Sequence, residues 1–441
     1  MRSGSVVLIT VDCLRADHLG CYGYDRPTSP NIDTFAEGGT VFDHGYANCP
    51  GTRWAFQSLH TGVSTLHFEG LGIPEGYTPL AQRFSDSGYR TGGFANNGFV
   101  SREYRYDTGF DTYYSTTDAA NRSGTLKRVG KKLDTVLGSQ LVRERLLLPL
   151  HDRLRQSGTG TDDRFRPVHS DSDTVDRALS FVEGVGDDPY FLWVHLMDAH
   201  TPYGYWPDHL DAIRGDTEIE HTTHPGQEGK ITVGEEPPDA VIDTYDAGVR
   251  SADEQIGRLL DAVGSEATVV VTGDHGEEFG RYNEFHQASL YSSMTQVPIV
   301  LRTPDSGSGR SGMPAQHLDI PPTLLRAAGI EIPKHWEGEP LQTLDRPQDH
   351  PIFFTLGPDE IALRMGDWKY IETGGNGELY RVPHSGSETE PVVDPERTET
   401  MRDLVQRYRT ETEDLGTGRP ELGEGEISGD VEDQLEELGY L

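Results

Sequence analysis

Short apolar runs alternate with amphipathic stretches through the first three quarters of the chain. The clearest runs are VVLITVD (6–12), YFLWVHLMD (190–198), ATVVVTGD (267–274) and VPIVLRT (297–303). Their apolar character is continuous rather than alternating, which predicts strands that are buried on both faces. Strands of this kind, separated by helical patterns, indicate an α/β fold built on a central sheet.

Helical spacing and turn residues indicate the other elements. Segment 243–264 has apolar residues at helical spacing and ends in glycine, so it predicts an amphipathic helix. Segment 318–330 predicts a shorter helix. Beyond about residue 345 the apolar runs become short, and Gly-Gly-Asn-Gly separates two of them. This pattern predicts a small antiparallel sheet with a hairpin near 374–377.

The change near residue 345 divides the chain into a main domain over 1–345, with an insertion at about 118–175, and a C-terminal subdomain with an acidic tail over 346–441. Within the insertion, residues 121–156 are rich in arginine and lysine. Such a segment suits peripheral membrane contact through lipid headgroups. We favour the alternative of a solvated helical insertion that pairs with the acidic body, because charge runs alone rarely specify a partner.

The composition is strongly acidic. There are 73 Asp and Glu residues against 38 Lys and Arg, which gives a net charge of −35 at pH 7. A surface of this sign repels nucleic acid, so a nucleic-acid-binding function is excluded. It is typical of halophilic proteins, because molar salt screens repulsion beyond about 3 Å.

Three features bear on where the protein works. The apolar runs are far shorter than the roughly 20 residues needed to cross a bilayer. The N-terminus passes directly into a strand-like run without the pattern of a secretory signal. The cysteines, Cys13, Cys21 and Cys49, are odd in number and lack the spacing of a zinc site, which favours reduced thiols. We therefore expect a cytoplasmic protein.

Polar side chains follow the predicted strands. Asp12 ends the first strand, Asp198 and His200 follow the strand at 190–198, and Asp274 and His275 follow the strand at 267–274. In open α/β sheets ligands bind beyond the carboxyl ends of the strands, so we expect these groups to converge. Carboxylates and imidazoles together are ligands that Zn²⁺ or Mn²⁺ prefers.

The motifs around these residues resemble those of one family. In chain order they are LITVDCLRADHLGCYGY, SLHTG, HLMDAHTPY, TGDHGEEFG, LDIPPTLL and GDWKYI. They are similar to the motifs of the sulfatase family, within the alkaline phosphatase superfamily, over residues 5 to about 385. The resemblance implies a mixed central sheet between helices, a small C-terminal antiparallel sheet and a metal-dependent site that cleaves esters.

The resemblance also suggests the nucleophile. In true sulfatases, the cysteine that becomes formylglycine lies ten residues before the glycine that ends the motif, and an arginine lies six before it. Counting back from Gly62 places Thr52 and Phe56 at these positions, whereas Cys49 lies thirteen residues back. Sulfatase-like phosphodiesterases and phosphoglycol or phosphoethanolamine transferases are similar in having threonine there. We favour Thr52, at the start of a helix, with formylglycine at Cys49 as the alternative.

By the same resemblance the metal ligands are Asp12, Thr52, Asp274 and His275. Thr52 is then both ligand and nucleophile, because a bound cation lowers the pKa of the coordinated oxygen. The sulfatase pattern has a second aspartate where this chain has Cys13. Losing one carboxylate favours Zn²⁺ or Mn²⁺ over Ca²⁺, and one or two ions fit the pattern.

Two histidines match further family positions. His200 lies in HTPY and His286 in FHQASLY. They would bind the substrate oxyanion and protonate the leaving group, or hold a second metal ion together with Asp198. We favour the first role, which leaves Asp198 as a substrate-binding residue.

Two more side chains are candidates for contact with substrate. Arg53 follows the nucleophile and would clamp a phosphate or sulfate group, although it is equally an exposed residue of the first helical turn. Asn97 occupies a position with polar substrate contacts in the family, or is a turn residue. His195 and His18 are interpreted as buried structural histidines and left out of the site.

Together these features predict a metal-dependent hydrolase or transferase that acts on phosphate or sulfate esters through a covalent intermediate on Thr52. The substrate would be a small molecule or a glycan- or lipid-linked ester. A true sulfatase with formylglycine at Cys49 and a non-catalytic binding protein on the same scaffold are the rival hypotheses.

Overall fold

The four apolar runs form the middle of an eight-stranded sheet in the computed structural model. The strands of this sheet are β1 (Val6–Val11), β2 (Thr40–Tyr46), β3 (Arg90–Ala95), β4 (Thr112–Tyr114), β5 (Tyr190–Leu196), β6 (Thr268–Gly273), β7 (Ile299–Arg302) and β8 (Gly309–Gln316). The structure describes residues 4–68, 70–115, 171–204, 206–218, 234, 236–282, 287–304, 307–383 and 386–415. The basic segment 121–156, most of the predicted insertion and the acidic tail after residue 415 lie outside the described residues.

The sheet is mixed. Its order is β4-β3-β5-β1-β6-β7-β2-β8, and β7 runs antiparallel to both of its neighbours while the other pairs are parallel. Strands β1, β5 and β6 lie side by side at its centre, and every residue in them is buried. Their carboxyl ends therefore meet at one edge, as the sequence predicts.

Helices cover both faces of the sheet, which explains why the central strands are apolar on both sides. On β1, Val6 and Leu8 pack into the core on one face, and Val7, Ile9 and Val11 pack into the core on the other. The described helices are α1 (Pro30–Glu37), α2 (Thr52–Thr61), α3 (Leu80–Asp86), α4 (Asp171–Val185), α5 (Pro207–Arg214), α6 (Asp239–Val263), α7 (Ser292–Thr295), α8 (Ile320–Ala327) and α9 (Pro395–Leu415).

Helices α2, α3 and α8 contribute to the first core, and helices α1, α4 and α6 contribute to the second. This arrangement of a mixed sheet between two helical layers confirms the predicted fold class. Helix α6 begins at Asp239, four residues before the predicted start, because Pro238 precedes the first turn and Val241 is already buried.

The C-terminal part forms a separate antiparallel sheet of four strands. These are β9 (Ile352–Gly357), β10 (Glu360–Met365), β11 (Trp368–Thr373) and β12 (Asn376–Arg381), in the order β12-β11-β10-β9. Gly374 and Gly375, both at positive φ, connect β11 to β12, so the predicted hairpin is confirmed. Helix α9 packs against this sheet through Met401 and Val405.

Among the described helices, none combines the length and the apolar character that crossing a bilayer requires.

Candidate active site and metal centre

Thr52 begins helix α2, and its hydroxyl faces the carboxyl edge of the central sheet. Thr52 Oγ1 lies 3.3 Å from Asp12 Oδ2 and 3.2 Å from His275 Nε2. The side chain is 2% exposed. Helix α2 ends at Thr61 and is followed by Gly62, which adopts the left-handed conformation at φ 69°; the predicted helix start at Thr52 is confirmed.

The pairing of β1 with β6 brings the two aspartates together. Val11 pairs with Gly273 in parallel register, so Asp12 and Asp274 follow neighbouring strands at the same level. The backbone N–H of Asp274 donates to the carbonyl of Val11 at 3.1 Å, which continues the ladder one step further. Residues 262 positions apart in the chain thus meet at one point.

The electrostatics of the cluster are those of two buried carboxylates among imidazoles. Burial by itself raises the pKa of Asp12, but the imidazoles of His200, His195 and His275 outweigh it and hold this pKa well below the usual range. Burial, together with the charge of Asp12, raises the pKa of Asp274 to about 6. Burial opposes protonation of His275, yet Asp274 and Asp12 raise its pKa overall.

These residues fit a divalent cation. Asp12 and Asp274 are both 0% exposed, and Asp274 Oδ2 makes no hydrogen bond within the described part of the chain. Donor atoms of Asp12, Cys13 and His275 lie within 4.8 Å of one another, and so do those of Asp12, His195 and Asp274. A buried carboxylate pair is costly unless a cation or a proton compensates its charge.

Asn97 joins the cluster from the loop after β3. Its Nδ2 donates to Asp12 Oδ2 at 3.1 Å, and its Oδ1 accepts a hydrogen bond from the backbone N–H of Phe99 at 2.9 Å. The second contact fixes the orientation of the amide, which then presents its NH₂ group to the carboxylate. Asn97 is 0% exposed, so it is a constituent of the site as well as a turn residue.

His200 and Asp198 follow β5, as predicted, but they have different surroundings. His200 is 3% exposed and close enough to Asp12 to lower the pKa of that carboxyl. Asp198 accepts a hydrogen bond from Ser251 on α6 at 2.6 Å, and its backbone N–H donates to Asp171. Burial and the charge of Asp171 raise the pKa of Asp198 well above its usual value.

Two other residues predicted for the site, Arg53 and His286, are not seen to contact the cluster around Asp12 in the described part of the chain. Arg53 is exposed, and its guanidinium stacks on the ring of Trp54 at 3.7 Å. Within the described residues the guanidinium is thus held against Trp54. The predicted histidine at position 286 lies outside the described residues.

Cys49 contacts Thr65 rather than the cluster of Asp12, Asp274 and His275. Its Sγ is 2.9 Å from Thr65 Oγ1 and is fully buried. Burial raises the pKa of this thiol to about 11. The side chain thus faces the segment after α2, whereas Thr52 faces the two aspartates.

His195 contacts Asp12, which the sequence did not predict. Its Nε2 lies 3.3 Å from Asp12 Oδ2, and its Nδ1 lies 3.1 Å from Thr10 Oγ1. The prediction of a buried histidine is correct, but this one touches the cluster. The signal is the register of β5 on β1, which pairs His195 with Thr10, and this register is not visible in the sequence alone.

Comparison with known proteins identifies the family. Residues 5–330 match the profile of the family described as Sulfatase. The chain belongs to the sulfatase family. The uncharacterized sulfatase YidJ of Escherichia coli (strain K12) is 22% identical to this sulfatase-family chain over 387 residues, covering 80% of it and 73% of the relative. The multifunctional alkaline phosphatase superfamily protein PehA of Trinickia caryophylli is 24% identical and covers 77% of each chain.

Solved structures with similar folds include the phosphonate monoester hydrolase of Agrobacterium radiobacter. It aligns with a TM-score of 0.66 and 16% identity over 95% of this sulfatase-family chain and 97% of its own. The protein Ps i-CgsB in complex with k-i-k-neocarrahexaose aligns with a TM-score of 0.67 and 18% identity over 98% and 97% of the two chains. These likenesses confirm the alkaline phosphatase-like fold, and the family match supports an ester hydrolase.

Proposed function

We propose that this sulfatase-family hydrolase cleaves or transfers phosphate or sulfate esters through a covalent intermediate on Thr52. The observation that carries the proposal is the position of Thr52 Oγ1, which is 3.3 Å from Asp12 Oδ2 and 3.2 Å from His275 Nε2. A hydroxyl is a weak nucleophile unless a base or a metal ion activates it, and the buried side chains of Asp12, Asp274 and His275 would hold such an ion here.

In this proposal Asp12, Asp274, His275 and the Thr52 hydroxyl hold one divalent cation, with Zn²⁺ or Mn²⁺ favoured over Ca²⁺. When bound, the cation lowers the pKa of the Thr52 hydroxyl and compensates the two carboxylates. Asn97 donates to Asp12 and so keeps that carboxylate oriented. The first N–H groups of α2 face the developing negative charge on the transferred group.

His200 is proposed to protonate the leaving group, with His286 as the second candidate. The support for His200 is its burial and its electrostatic interaction with Asp12. A general acid on the leaving-group side, opposite the nucleophile, is needed because an alkoxide leaving group departs slowly without a proton. Either histidine would assist departure of the leaving group in the in-line displacement, after which the group held on Thr52 would be released to water or to an acceptor alcohol.

The rival hypothesis of a formylglycine made from Cys49 has weaker support. A formylglycine nucleophile would have to lie against the residues that we assign to the metal. The Thr52 hydroxyl lies 3.3 Å from Asp12, one of these residues, whereas Cys49 Sγ contacts Thr65. Intact mass spectrometry tests the rival directly, because conversion of the thiol to an aldehyde changes the mass at Cys49.

The substrate class is proposed from the acidic surface and from the relatives. A net charge of −35 disfavours nucleic acid and large polyanions, which leaves small esters or esters carried on a glycan or lipid. One relative in structure is a phosphonate monoester hydrolase, and one relative in sequence is the arylsulfatase of Clostridium perfringens. Aryl phosphonate, phosphate and sulfate esters are therefore the appropriate probes.

The decisive experiment compares three variants on aryl phosphodiester, aryl phosphonate and aryl sulfate, each with added Zn²⁺ or Mn²⁺. We expect Thr52→Ala to lower kcat/KM by about 1,000-fold or more, because the nucleophile is lost. Thr52→Ser keeps the hydroxyl and should retain measurable turnover. Cys49→Ser, the matched control, should stay within about threefold of the wild type because Cys49 contacts Thr65.

Acid quenching during turnover should also leave the phosphoryl or sulfuryl group on Thr52, as detected by peptide mass spectrometry. The opposite pattern, in which Cys49→Ser is inactive and Thr52→Ala is active, would overturn the proposal and favour the formylglycine hypothesis. Absence of turnover in all proteins together with absence of bound metal would favour a binding protein on the same scaffold.

A further inference from the structure

Cys13 has a strained backbone next to the metal cluster. It follows Asp12 directly and has φ 59°, a left-handed conformation that non-glycine residues rarely adopt. Its N–H faces Asp274 Oδ1 at 3.3 Å, and its carbonyl accepts a hydrogen bond from the Tyr245 hydroxyl at 2.7 Å. These two contacts hold the backbone in place, and they thereby fix the direction of the side chain.

The thiol lies among the donor atoms of the site. Cys13 Sγ is 3.2 Å from Asp12 Oδ1, and that same oxygen is 3.5 Å from His275 Nε2. The donor atoms of these three residues all lie within 4.8 Å of one another. Atoms bound to one Zn²⁺ at roughly 2.0–2.3 Å lie at most about 4.6 Å apart, and the separations of 3.2 Å and 3.5 Å fall within this limit.

A second observation points independently to a ligand. Asp274 Oδ2 is fully buried and makes no hydrogen bond within the described residues. It lies 3.8 Å from His275 Nε2, the nitrogen that also belongs to the cluster with Cys13. An oxygen of this kind is costly to bury unless something binds it, and a cation held beside the thiol would do so.

We propose that Cys13 supplies a thiolate ligand to the bound cation, so that the centre takes a thiophilic metal such as Zn²⁺ or Co²⁺ in preference to Ca²⁺. Thiolates select zinc-like metals, whereas calcium takes oxygen ligands only. When the sulfur binds the metal, the S–H bond, now directed at Asp12 Oδ1, is broken and its proton is released to solvent. This inference rests on the metal centre of the proposed function and adds a ligand to it.

A structural thiol is the competing interpretation. Cys13 is fully buried, and a buried cysteine commonly behaves as a small apolar side chain. The two interpretations differ in one observable. A thiolate bound to Co²⁺ produces an intense sulfur-to-metal charge-transfer band in the near ultraviolet, and a thiol that only packs produces none.

The experiment is a Co²⁺ titration of the full chain, with bound metal measured by elemental analysis. We expect one Co²⁺ per chain and a charge-transfer band, which Cys13→Ser loses while it still binds Co²⁺. Cys49→Ser and Cys21→Ser are matched controls and should keep the band, because Cys49 contacts Thr65 and Cys21 contacts Asp33 through its backbone. Cys13→Ser should also lose at least about tenfold of the preference for Zn²⁺ over Ca²⁺.

A Cys21→Ser/Cys49→Ser double variant makes the test independent of any folding defect in Cys13→Ser. Cys13 is its only cysteine, so a charge-transfer band in it must come from Cys13. Stoichiometric Co²⁺ without a band in this double variant, or a band that survives in Cys13→Ser, would overturn the inference while leaving the metal centre of the proposed function intact. Failure to bind any metal would overturn both.

Discussion

His195 lies beside Asp12, one of the residues that we assign to the metal site. The Thr10 hydroxyl accepts a hydrogen bond from Trp193 Nε1 at 3.1 Å and lies 3.1 Å from His195 Nδ1. The other ring nitrogen, Nε2, is 3.3 Å from Asp12 Oδ2. A ring held at both nitrogens has one orientation, and it therefore restricts the orientation of the carboxylate that we assign to the metal.

Replacing His195 by glutamine should weaken Zn²⁺ binding by about 10- to 100-fold, the usual effect of losing a group that orients a metal ligand. The measurement is a competition titration against a chromophoric chelator. His67→Gln is the matched control, because His67 is also buried beside a carboxylate, 3.0 Å from Glu337, but outside the cluster. Unchanged affinity in His195→Gln would contradict this role, and complete loss of binding would make His195 a direct ligand.

The sequence predicts the acidic residues of the site better than it predicts their neighbours. Asp12 and Asp274 are found from the rule that ligands bind beyond the carboxyl ends of strands. The contact of His195 with Asp12 depends instead on which strand lies beside β1, and the left-handed backbone of Cys13 depends on contacts with Asp274 and Tyr245. Such long-range pairings leave no local pattern, so a single sequence does not reveal them.

At the scale of elements, the short helix α7 links the loop after β6, which carries Asp274 and His275, to the C-terminal sheet. The N–H of Gly276, next to His275, donates to the carbonyl of Met294 at 2.9 Å. A Cβ at Gly276 would lie 1.9 Å from the carbonyl oxygen of Ser293, so glycine is required for this close approach. The position of α7 thus affects the position of His275.

A buried ion pair fixes α7 from the other side. Lys369 on β11 lies 2.7 Å from Glu388, and both side chains are 0% exposed. Glu388 also accepts hydrogen bonds from the backbone N–H of Ser292, at 3.0 Å and 3.1 Å for its two oxygens. The small sheet therefore holds a structural element that borders the metal site.

Glu388→Gln should lower the free energy of unfolding by about 3 kcal/mol, because it leaves the Lys369 ammonium buried without a counter-charge. Chemical denaturation measures this change. Glu75→Gln is the control, since Glu75 pairs with Arg105 at 3.0 Å but is 86% exposed, and its loss should cost less than about 1 kcal/mol. Equal losses in the two variants would contradict a structural role for the buried pair.

The effect of Glu388→Gln on stability should depend on pH, and its direction follows from the pKa shift of Glu388 in the wild type. Although burial raises the pKa of Glu388, the charge of Lys369 outweighs it and holds the pKa below the ordinary value of 4.5. The carboxylate then contributes stability above pH 4.5, and this contribution is lost as the pH falls through the folded-state pKa. The difference in stability between wild type and Glu388→Gln should therefore shrink in acid.

Elements with a strong apolar pattern are the ones that the sequence predicts well. Strands β1, β5 and β6 lie within one or two residues of their predicted bounds, because continuous apolar runs end at polar residues. The start of α6 is missed by four residues, 239–242, of which only Asp239 is polar; Val241 is buried and Ile242 packs against the core, so the helix extends back to Pro238. Helix α7 has four residues, too few for a periodic signal.

At the scale of the whole molecule, the net negative charge is the feature that should most affect stability. An excess of 73 acidic over 38 basic residues gives a net charge of −35, and repulsion of this size opposes the compact state in dilute buffer. Salt reduces the repulsion, because the screening length falls from about 10 Å at 0.1 M to about 3 Å at 1 M. We propose on this basis that the protein is adapted to high salt.

The melting temperature of the metal-loaded protein should accordingly rise by about 10 °C between 0.1 M and 3 M KCl, since each kcal/mol of relieved repulsion is worth roughly 2–4 °C in a large domain. A variant with Glu399→Lys and Asp403→Lys, both exposed on α9, removes two negative charges and adds two positive ones, so its net charge is four units less negative. It should melt higher than wild type at 0.1 M KCl and depend less on salt, because part of the repulsion is already removed.

Sucrose at equal osmolality should reproduce little of the KCl effect if screening is the cause. A melting temperature that is flat or falls with KCl, or a variant with the salt dependence of the wild type, would show that the acidic surface does not limit stability.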